Sequence, residues 1–270
     1  MHLTKYHGLG NDFLVALDRD DRASVDARAA RELCDRRRGI GADGVIVVGP
    51  PSSGADVTMT LFNADGSVAE MSGNGIRCLG HALARRAGTV TFDVTVATGG
   101  GVRRVHVGPG PDAVTAWVEV DMGTARPGPS LDPGMDMGMD HLKVTSLDLG
   151  NPHLVVLVGD LAAVDMASVG PACQRSFARG VNVEAIAPTP GRDDALDLVV
   201  WERGVGLTQA CGTGACAAAH AAYGWGLVGE RVAVRMPGGD VEVVLGDTIT
   251  LAGPSVFVAD IEAADIEVAT

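Results

Sequence analysis

Two stretches of this 270-residue chain follow one pattern, and that duplication restricts the fold more than any other feature of the sequence. Ser72-Gly73-Asn74-Gly75 and Cys211-Gly212-Thr213-Gly214 lie 139 residues apart. The same separation pairs Asn63 with Glu202, each nine residues before its Ser or Cys, and His81 with His220, each nine residues after. Upstream, Arg38-Gly39-Ile40-Gly41 matches Arg179-Gly180-Val181-Asn182 at a separation of 141, and Gly10-Asn11-Asp12-Phe13 matches Gly150-Asn151-Pro152-His153 at 140. Landmarks in one order at a near-constant separation predict two copies of one plan. Residues 1–125 are expected to form the first half and 141–270 the second, with the last strand able to cross back to the first. The Pro- and Gly-rich residues 126–140 read as a linker.

Each half combines short strands with one prominent helix. Residues 13–17, 45–48, 154–158, 196–201 and 241–245 are β-type runs rich in Val, Leu and Ile. After each Ser/Cys-Gly-x-Gly the period becomes helical. Ile76, Leu79, Leu83 and Ala87 share one helical face, and residues 215–223 are nearly all small and apolar, as in a helix buried on every side. His81 and His220 read as packing residues of these helices. Aromatic residues make up only 4%, so the cores must be built from Val, Ala and Leu.

The rest of the composition excludes whole classes of function. A net charge of −13 argues against a nucleic-acid binder. The basic triplet Arg36-Arg37-Arg38 reads as a solvated helix end. There is no apolar run of 18 residues and no secretory h-region at the N-terminus, so neither membrane association nor export is expected and the cytoplasm is the predicted location. The five cysteines are odd in number and scattered, which fits reduced thiols better than a disulfide framework. No His or Cys spacing suggests a metal site. The only lysines, Lys5 and Lys143, lack a glycine-rich phosphate cradle, so pyridoxal phosphate is not expected. Gly39-Ile40-Gly41-Ala42-Asp43-Gly44 matches G-x-G-x-x-G, but it leads into a strand instead of opening a helix, and a nucleotide site is rejected.

A Gly-x-Gly turn that opens a helix presents N–H groups and the positive end of the helix dipole, which together attract an anion. Cys211 sits at such a turn. A helix N-terminus lowers a thiol pKa, so Cys211 is the leading candidate for moving a proton. The other four cysteines read as small buried residues. Two related halves, each with one such turn, suit a reaction in which one group removes a proton and a second delivers one to the opposite face. On this reading side chains 72 and 211 flank a single bound carbon.

The motifs resemble those of diaminopimelate epimerases. The likeness rests on His7-Gly8-Leu9-Gly10-Asn11-Asp12-Phe13, Asn63-Ala64-Asp65-Gly66 and Ser72-Gly73-Asn74-Gly75-Ile76-Arg77-Cys78. It continues through Gly150-Asn151-Pro152-His153, Val181-Asn182-Val183, Glu202-Arg203-Gly204 and Ala210-Cys211-Gly212-Thr213-Gly214-Ala215-Cys216. The resemblance implies an α+β fold of two pseudo-symmetric domains, each an antiparallel β-barrel-like sheet wrapped around a central helix. It implies interconversion of LL- and meso-diaminopimelate, a small-molecule amino acid, without cofactor or metal, and it leaves room for a homodimer. By the same resemblance Cys211, Ser72, Glu202 and His153 form the acid–base machinery. Asn11, Asn63, Asn151 and Asn182 would bind polar ends of the substrate, and Glu202 and Arg203 its charged groups. Gly73, Asn74, Gly212 and Thr213 would offer backbone N–H groups to its carboxylate.

One position departs from the family in a way that touches the chemistry. Ser72 stands where the family normally has cysteine, and a hydroxyl without an adjacent base is a poor partner in two-base catalysis. Three readings stay open: a Cys→Ser change introduced into the chain, a natural variant in which Ser72 or a held water serves that face, or a related amino-acid racemase or phenazine-type isomerase of other specificity. A catalytically inactive amino-acid-binding homologue is the alternative from another class. Leu207, where the family often has Glu, is expected to matter only structurally.

Overall fold

A strand with alternate apolar side chains buries one face, and this chain has many. In residues Thr115–Asp121, Ala116, Val118 and Val120 are buried while Trp117 and Glu119 point outward. The computed structural model describes residues 1–17, 25–132 and 134–263. They divide into two units, one of residues 1–120 and from 253 onward, the other of residues 121–252.

In the first unit the strands are β1 (His2–Gly8), β2 (Asn11–Ala16), β3 (Gly44–Gly49), β4 (Val57–Asn63), β5 (Val68–Ala69), β6 (Phe92–Thr98), β7 (Gly101–Pro109) and β8 (Thr115–Asp121). Their pairings run β1–β2–β3–β4–β6–β7–β8. The far end of the chain's last strand, Ile249–Glu262, then lies between β8 and β1 and closes the ring. The pairs β2–β3 and β4–β6 are parallel, while β1–β2, β3–β4, β6–β7, β7–β8 and the pairing of β1 with the last strand are antiparallel. Closure gives both β1 and β8 a partner on each side. A helix, Gly73–Arg86, packs against β1, β2, β3, β6 and β7 and fills the ring. It is buried almost all round from Gly73 to Ala82. The single apolar face expected from Ile76, Leu79, Leu83 and Ala87 is therefore too narrow a description. Leu83 is only half-buried, and Ala87 is the exposed C-cap. A second helix, Ala27–Cys34, covers the ring's outside. It is capped by Asp26, which accepts from the N–H groups of Arg28 and Ala29.

The second unit repeats the plan. Its strands are β9 (Arg126–Pro127), β10 (Lys143–Asp148), β11 (Pro152–Leu157), β12 (Asn182–Pro188), β13 (Ala195–Glu202), β14 (Gly206–Thr208), β15 (Arg231–Met236), β16 (Gly239–Leu245) and the start of β17 (Ile249–Glu262). Pairings run β9–β10–β11–β12–β13–β15–β16–β17, again with two parallel pairs, β11–β12 and β13–β15. Ile249 closes this ring by donating to the Gly123 carbonyl (2.7 Å) and accepting from the Met122 N–H (2.8 Å). The helix inside is Gly212–Gly224, and every residue from Gly212 to Ala219 is buried. Residues 126–140, read from composition as a linker, begin with β9, which pairs with β10; Pro133 within that stretch and residues 264–270 of the second expected half lie outside the described residues. Among the described residues no helix is long and apolar enough to cross a membrane.

Strand register corrects one of the repeat landmarks. Phe13 pairs with Gly44 and Gly44 with Asn63, while His153 pairs with Asn182 and Val183 with Trp201, next to Glu202. Asn182 is therefore the counterpart of Gly44, not of Gly41. The similar glycine turns 38–41 and 179–182 are offset from each other relative to the sheet. The structure also refines the reading of Arg36. Its helix ends at Cys34, and the Arg36 guanidinium spans Asp12 (2.6 Å) and Asp43 (2.7 Å) instead of simply facing water. Gly44 opens β3 directly, as expected when the nucleotide motif was rejected.

The interior of the second ring has room only for small side chains on its helix. Ala218→Leu, at a fully buried position, is expected to lower stability by about 1–3 kcal/mol through overpacking. Urea denaturation monitored by circular dichroism checks this; an unchanged midpoint would mean the ring is loosely filled.

Candidate active site

Helix starts in a protein interior leave N–H groups that need acceptors. In the first unit Ser72 meets that need. Its backbone is extended, and its Oγ accepts from the Gly75 N–H at 3.0 Å. From the same turn a hydrogen-bond chain runs back into the sheet. Arg77, fully buried, donates from Nη2 to Asn74 Oδ1 (2.9 Å) and from Nη1 to the Gly73 carbonyl (3.2 Å). Asn74 Nδ2 donates to Asn11 Oδ1 (3.1 Å), and Asn11 Nδ2 donates to Asp43 Oδ2 (2.8 Å). An arginine can only donate and a carboxylate can only accept, so the two ends fix both amide orientations. Asp43 is held in turn by Arg36 and by the Asp12 N–H (3.1 Å). Asp12 also receives Lys5 at 2.8 Å. Burial pushes the Asp12 carboxyl up, but Arg36 and Lys5 together outweigh it and hold the group below its ordinary range. Gly8 passes so close that a Cβ there would lie 3.1 Å from Arg77 Nη2. Asn63 stands apart from this chain, its Nδ2 donating to Ser67 Oγ (3.0 Å).

In the second unit Cys211 caps the equivalent helix. Its Sγ accepts from the Gly214 N–H at 3.4 Å and lies 3.5 Å from Thr213 Oγ1. Glu202, at the end of β13, is within hydrogen-bonding reach of Cys211 and accepts from Thr208 Oγ1 at 2.6 Å. His153, on β11, is fully buried. Its Nδ1 meets Glu184 Oε1 at 2.7 Å and its Nε2 meets Asn151 Oδ1 at 3.0 Å. Asn151 Nδ2 then donates to Thr213 Oγ1 at 3.2 Å. Glu184 lies directly beneath the helix start, where a Cβ on Gly214 would come within 2.8 Å of its Oε1. Asn182 uses its amide on backbone, donating to the Pro152 carbonyl (3.2 Å) and accepting from the Arg203 N–H (2.8 Å). It thus fixes the ends of β11 and β13. The Arg203 side chain runs across Gly180, with a bond to the Arg179 carbonyl at 3.2 Å.

These surroundings set the acidity of the groups. Burial, then the charges of Glu202 and Glu184, push the Cys211 thiol well above its ordinary range, although the Thr213 and Gly214 hydrogen bonds oppose them. Burial likewise raises the Glu202 carboxyl, against the hydrogen bonds from Thr208 and Cys211. Each of these groups acts on the acidity of the other, the Glu202 charge raising the thiol. This reverses the expectation that the helix end alone would favour thiolate at Cys211, because dehydration and two carboxylates outweigh the dipole. Cys34 and Cys78 are pushed to about 12, chiefly by burial, which fits a packing role. His81 is pulled down to about 4 by burial and packs edge-on against Tyr6, with ring centroids 5.0 Å apart.

Of the residues singled out from sequence, Asn11 and Asn74 meet Ser72 and Gly73 at one helix start. Asn151, His153, Glu202 and Thr213 meet Cys211 and Gly212 at the other. Arg77, Asp43 and Glu184 went unrecognised as site residues. Arg77 and Asp43 lie inside or beside the quoted motifs, but Glu184 shows only as one acid in the apolar strand Asn182–Pro188. Among the described residues no cluster of His, Cys, Asp and Glu could hold a metal.

A family model for diaminopimelate epimerase matches residues 3–127 and 145–258. The chain belongs to the diaminopimelate epimerase family. A diaminopimelate epimerase from Synechococcus elongatus is 38% identical over 279 residues, which covers 96% of each chain. One from Erythrobacter litoralis is 41% identical over 264 residues, 93% of each. Among solved structures, a probable proline racemase from Agrobacterium radiobacter superposes with a TM-score of 0.75 at 18% identity, covering 97% of this chain and 92% of that one. At that identity the likeness is one of fold, and it agrees with the ring-around-helix plan described above.

The acids around Cys211 make a directional prediction for this family member. Glu202→Gln removes a negative charge beside the sulfur, so thiolate should form at lower pH. Alkylation of Cys211 by iodoacetamide, followed by peptide mass mapping at fixed neutral pH, is expected to speed up by roughly tenfold. A slower reaction would show that Glu202 acts on Cys211 mainly as a proton acceptor.

Proposed function

We propose that the chain is a cofactor-independent diaminopimelate epimerase, an isomerase interconverting the LL and meso forms of a free amino acid. The observation that carries this reading is Cys211, a buried thiol at a helix start with the Glu202 carboxyl beside it, in a chain of this family. Cys211, with Glu202 exchanging its proton, acts on one face of the α-carbon. Position 72 serves the other. Removal of the α-proton by sulfur leaves a carbanion whose charge spreads into the substrate carboxylate. The helix-start N–H groups of Gly73, Gly212 and Thr213 receive that charge. Reprotonation from the opposite face completes the inversion. Asn11, Asn63, Asn151, Asn182 and Arg203 hold the substrate's polar ends, and His153 orients the acid–base pair. A cytoplasmic setting belongs to the same reading, since Cys211 must stay reduced to exchange a proton.

Ser72 makes the two faces unequal. Its hydroxyl is a far weaker acid than a thiol, and the side chain packed against Gly75 of its turn is Met59, not a carboxylate. In deuterated water the Cys211 face is therefore expected to incorporate solvent deuterium at the α-carbon of diaminopimelate faster than the enzyme inverts it, read by NMR and chiral chromatography. Ser72→Cys is expected to raise inversion by at least about 100-fold, the usual contribution of a positioned acid or base. No gain would count against a role for position 72. Absence of exchange on either face, with binding retained, would favour an amino-acid-binding homologue, and exchange on other amino acids alone would favour a racemase of different specificity.

A further inference from the structure

A duplicated fold carries its own control, because what one half needs in order to fold the other half should need as well. Around the first helix start that control singles out a group of charges. Strand register sets Ser146 where the first half has Lys5, Pro152 where it has Asp12 and Val181 where it has Asp43. Cys216 stands in the place of Arg77. The second ring makes the same hairpin, β10–β11, and the same parallel pair, β11–β12, without any of these charges. Folding of the ring therefore does not call for them. In the first half they converge on one side chain. Lys5 and Arg36 hold Asp12 (2.8 and 2.6 Å), Arg36 also holds Asp43 Oδ1 (2.7 Å), and Asp43 Oδ2 accepts from Asn11 Nδ2 (2.8 Å). From the opposite side Arg77 sets Asn74, which donates to Asn11 Oδ1 (3.1 Å).

The backbone of Asn11 is held as well. Asn11 opens β2 and pairs with Gly8 across a two-residue turn, Leu9–Gly10, with φ of 55° and 85°. Such a turn needs both central residues in the left-handed region, where a leucine is strained. The second half spans the same place with three residues, 149–151, and takes its positive φ at Gly150 (97°), so Asn151 lies before its strand. The shorter, strained turn draws Asn11 into the ladder, and strain of this kind gathers where a side chain must be aimed. With the backbone fixed, a half-turn of the amide still exchanges a donor for an acceptor. Asp43 settles that choice. A carboxylate only accepts, so Nδ2 faces Asp43 and Oδ1 faces Asn74. What Asn11 has left for a ligand, the second hydrogen of Nδ2 and the second lone pair of Oδ1, then lies at fixed places beside the helix start.

We propose that Asp43, seated by Arg36, is a positioning residue for substrate binding that acts through Asn11, by fixing which end of the Asn11 amide meets the ligand. The inference rests on the proposed role of Asn11 in holding a polar end of the substrate, and it adds to that role the residues that aim it. An asparagine at position 43 would not keep both contacts. With its oxygen toward Asn11, its NH₂ would face the Arg36 guanidinium; turned over, its NH₂ would face the Asn11 NH₂ and the Asp12 N–H.

A double-mutant cycle read by binding tests this. Affinity for meso-diaminopimelate is measured by NMR titration of ¹⁵N-labelled protein, which also reports the Asn11 side-chain amide, assigned with Asn11→Ala. Asp43→Asn is expected to weaken binding by about tenfold, as for the loss of one hydrogen bond to a charged group. It should also shift the two Asn11 amide protons toward the positions of a solvent-exposed asparagine. Removing a negative charge would by itself draw a substrate carboxylate more tightly, so weaker binding is not an electrostatic side effect. In the Asn11→Ala background the same substitution should change affinity by less than about twofold, because the residue it acts through is gone. Arg36→Gln, at a half-exposed side chain, should weaken binding in the same direction by a smaller factor and lose its effect in Asn11→Ala. It keeps the proposal falsifiable if Asp43→Asn does not fold. An equal loss with and without Asn11, or Asn11 amide signals unchanged in Asp43→Asn, overturns the proposal. A wild-type protein that binds no diaminopimelate would instead sink the proposed function, and the amide signals of the free protein would then decide alone whether Asp43 aims Asn11.

Discussion

The structure depends on how a helix can begin inside a protein. Gly73–Arg86 and Gly212–Gly224 both start in the interior of a closed ring of strands, where water is scarce and the first-turn N–H groups need acceptors. Each helix is given one capping atom from the residue before it, Oγ of Ser72 and Sγ of Cys211. The glycines that follow are required for packing as much as for freedom of the backbone. A Cβ on Gly75 would press on Met59 and Ser72, and one on Gly214 on Glu184. Capping, close packing and a positive helix end thus coincide at one place in each unit. That place is where an anion would be held.

The halves share this frame but differ in what is packed beneath it. Phe13 and Ile46 of the first half correspond by register to His153 and Glu184 of the second. An apolar pair has been exchanged for a buried ionisable pair while the parallel strand pairing is preserved. Burying such a pair is costly unless both members are well bonded. The 2.7 Å contact and the Asn151 link meet most of that requirement, and the orphan Oε2 of Glu184 does not. A group left in that condition in a well-packed core points to chemistry instead of stability.

What could be read from the sequence was what short-range rules control. Glycines at a turn, the capping residue and the run of small side chains in residues 215–223 all act within a few positions, so the helix starts, with Cys211 at one of them, and several strands around one central helix in each half were legible; the barrel-like closure came from the resemblance alone. Register was not. The turns at 38–41 and 179–182 look alike as strings, yet hydrogen bonding sets Asn182 against Gly44. Arg77 reads as a charge at a helical position until the Gly73 carbonyl and Asn74 are seen to enclose it. Glu184 interrupts an apolar strand, and nothing nearby in sequence says that its partner is His153, 31 residues away. The asparagines were grouped by resemblance, but Asn182 spends its amide on the backbone of Pro152 and Arg203, a role no motif announces.

Ser72 separates two demands that a cysteine would satisfy together. As a cap, a hydroxyl is at least as good as a thiol: Ser72 accepts the Gly75 N–H at 3.0 Å, a shorter contact than the 3.4 Å at Cys211, as expected for oxygen against sulfur. The fold therefore has no means of distinguishing the two residues, and the helix, the Asn74–Asn11 chain and the ring around them form with either. Proton transfer does distinguish them, because it depends on acidity and not on the ability to accept a hydrogen bond. The replacement of sulfur by oxygen at such a position thus bears on acidity and leaves the capping geometry intact.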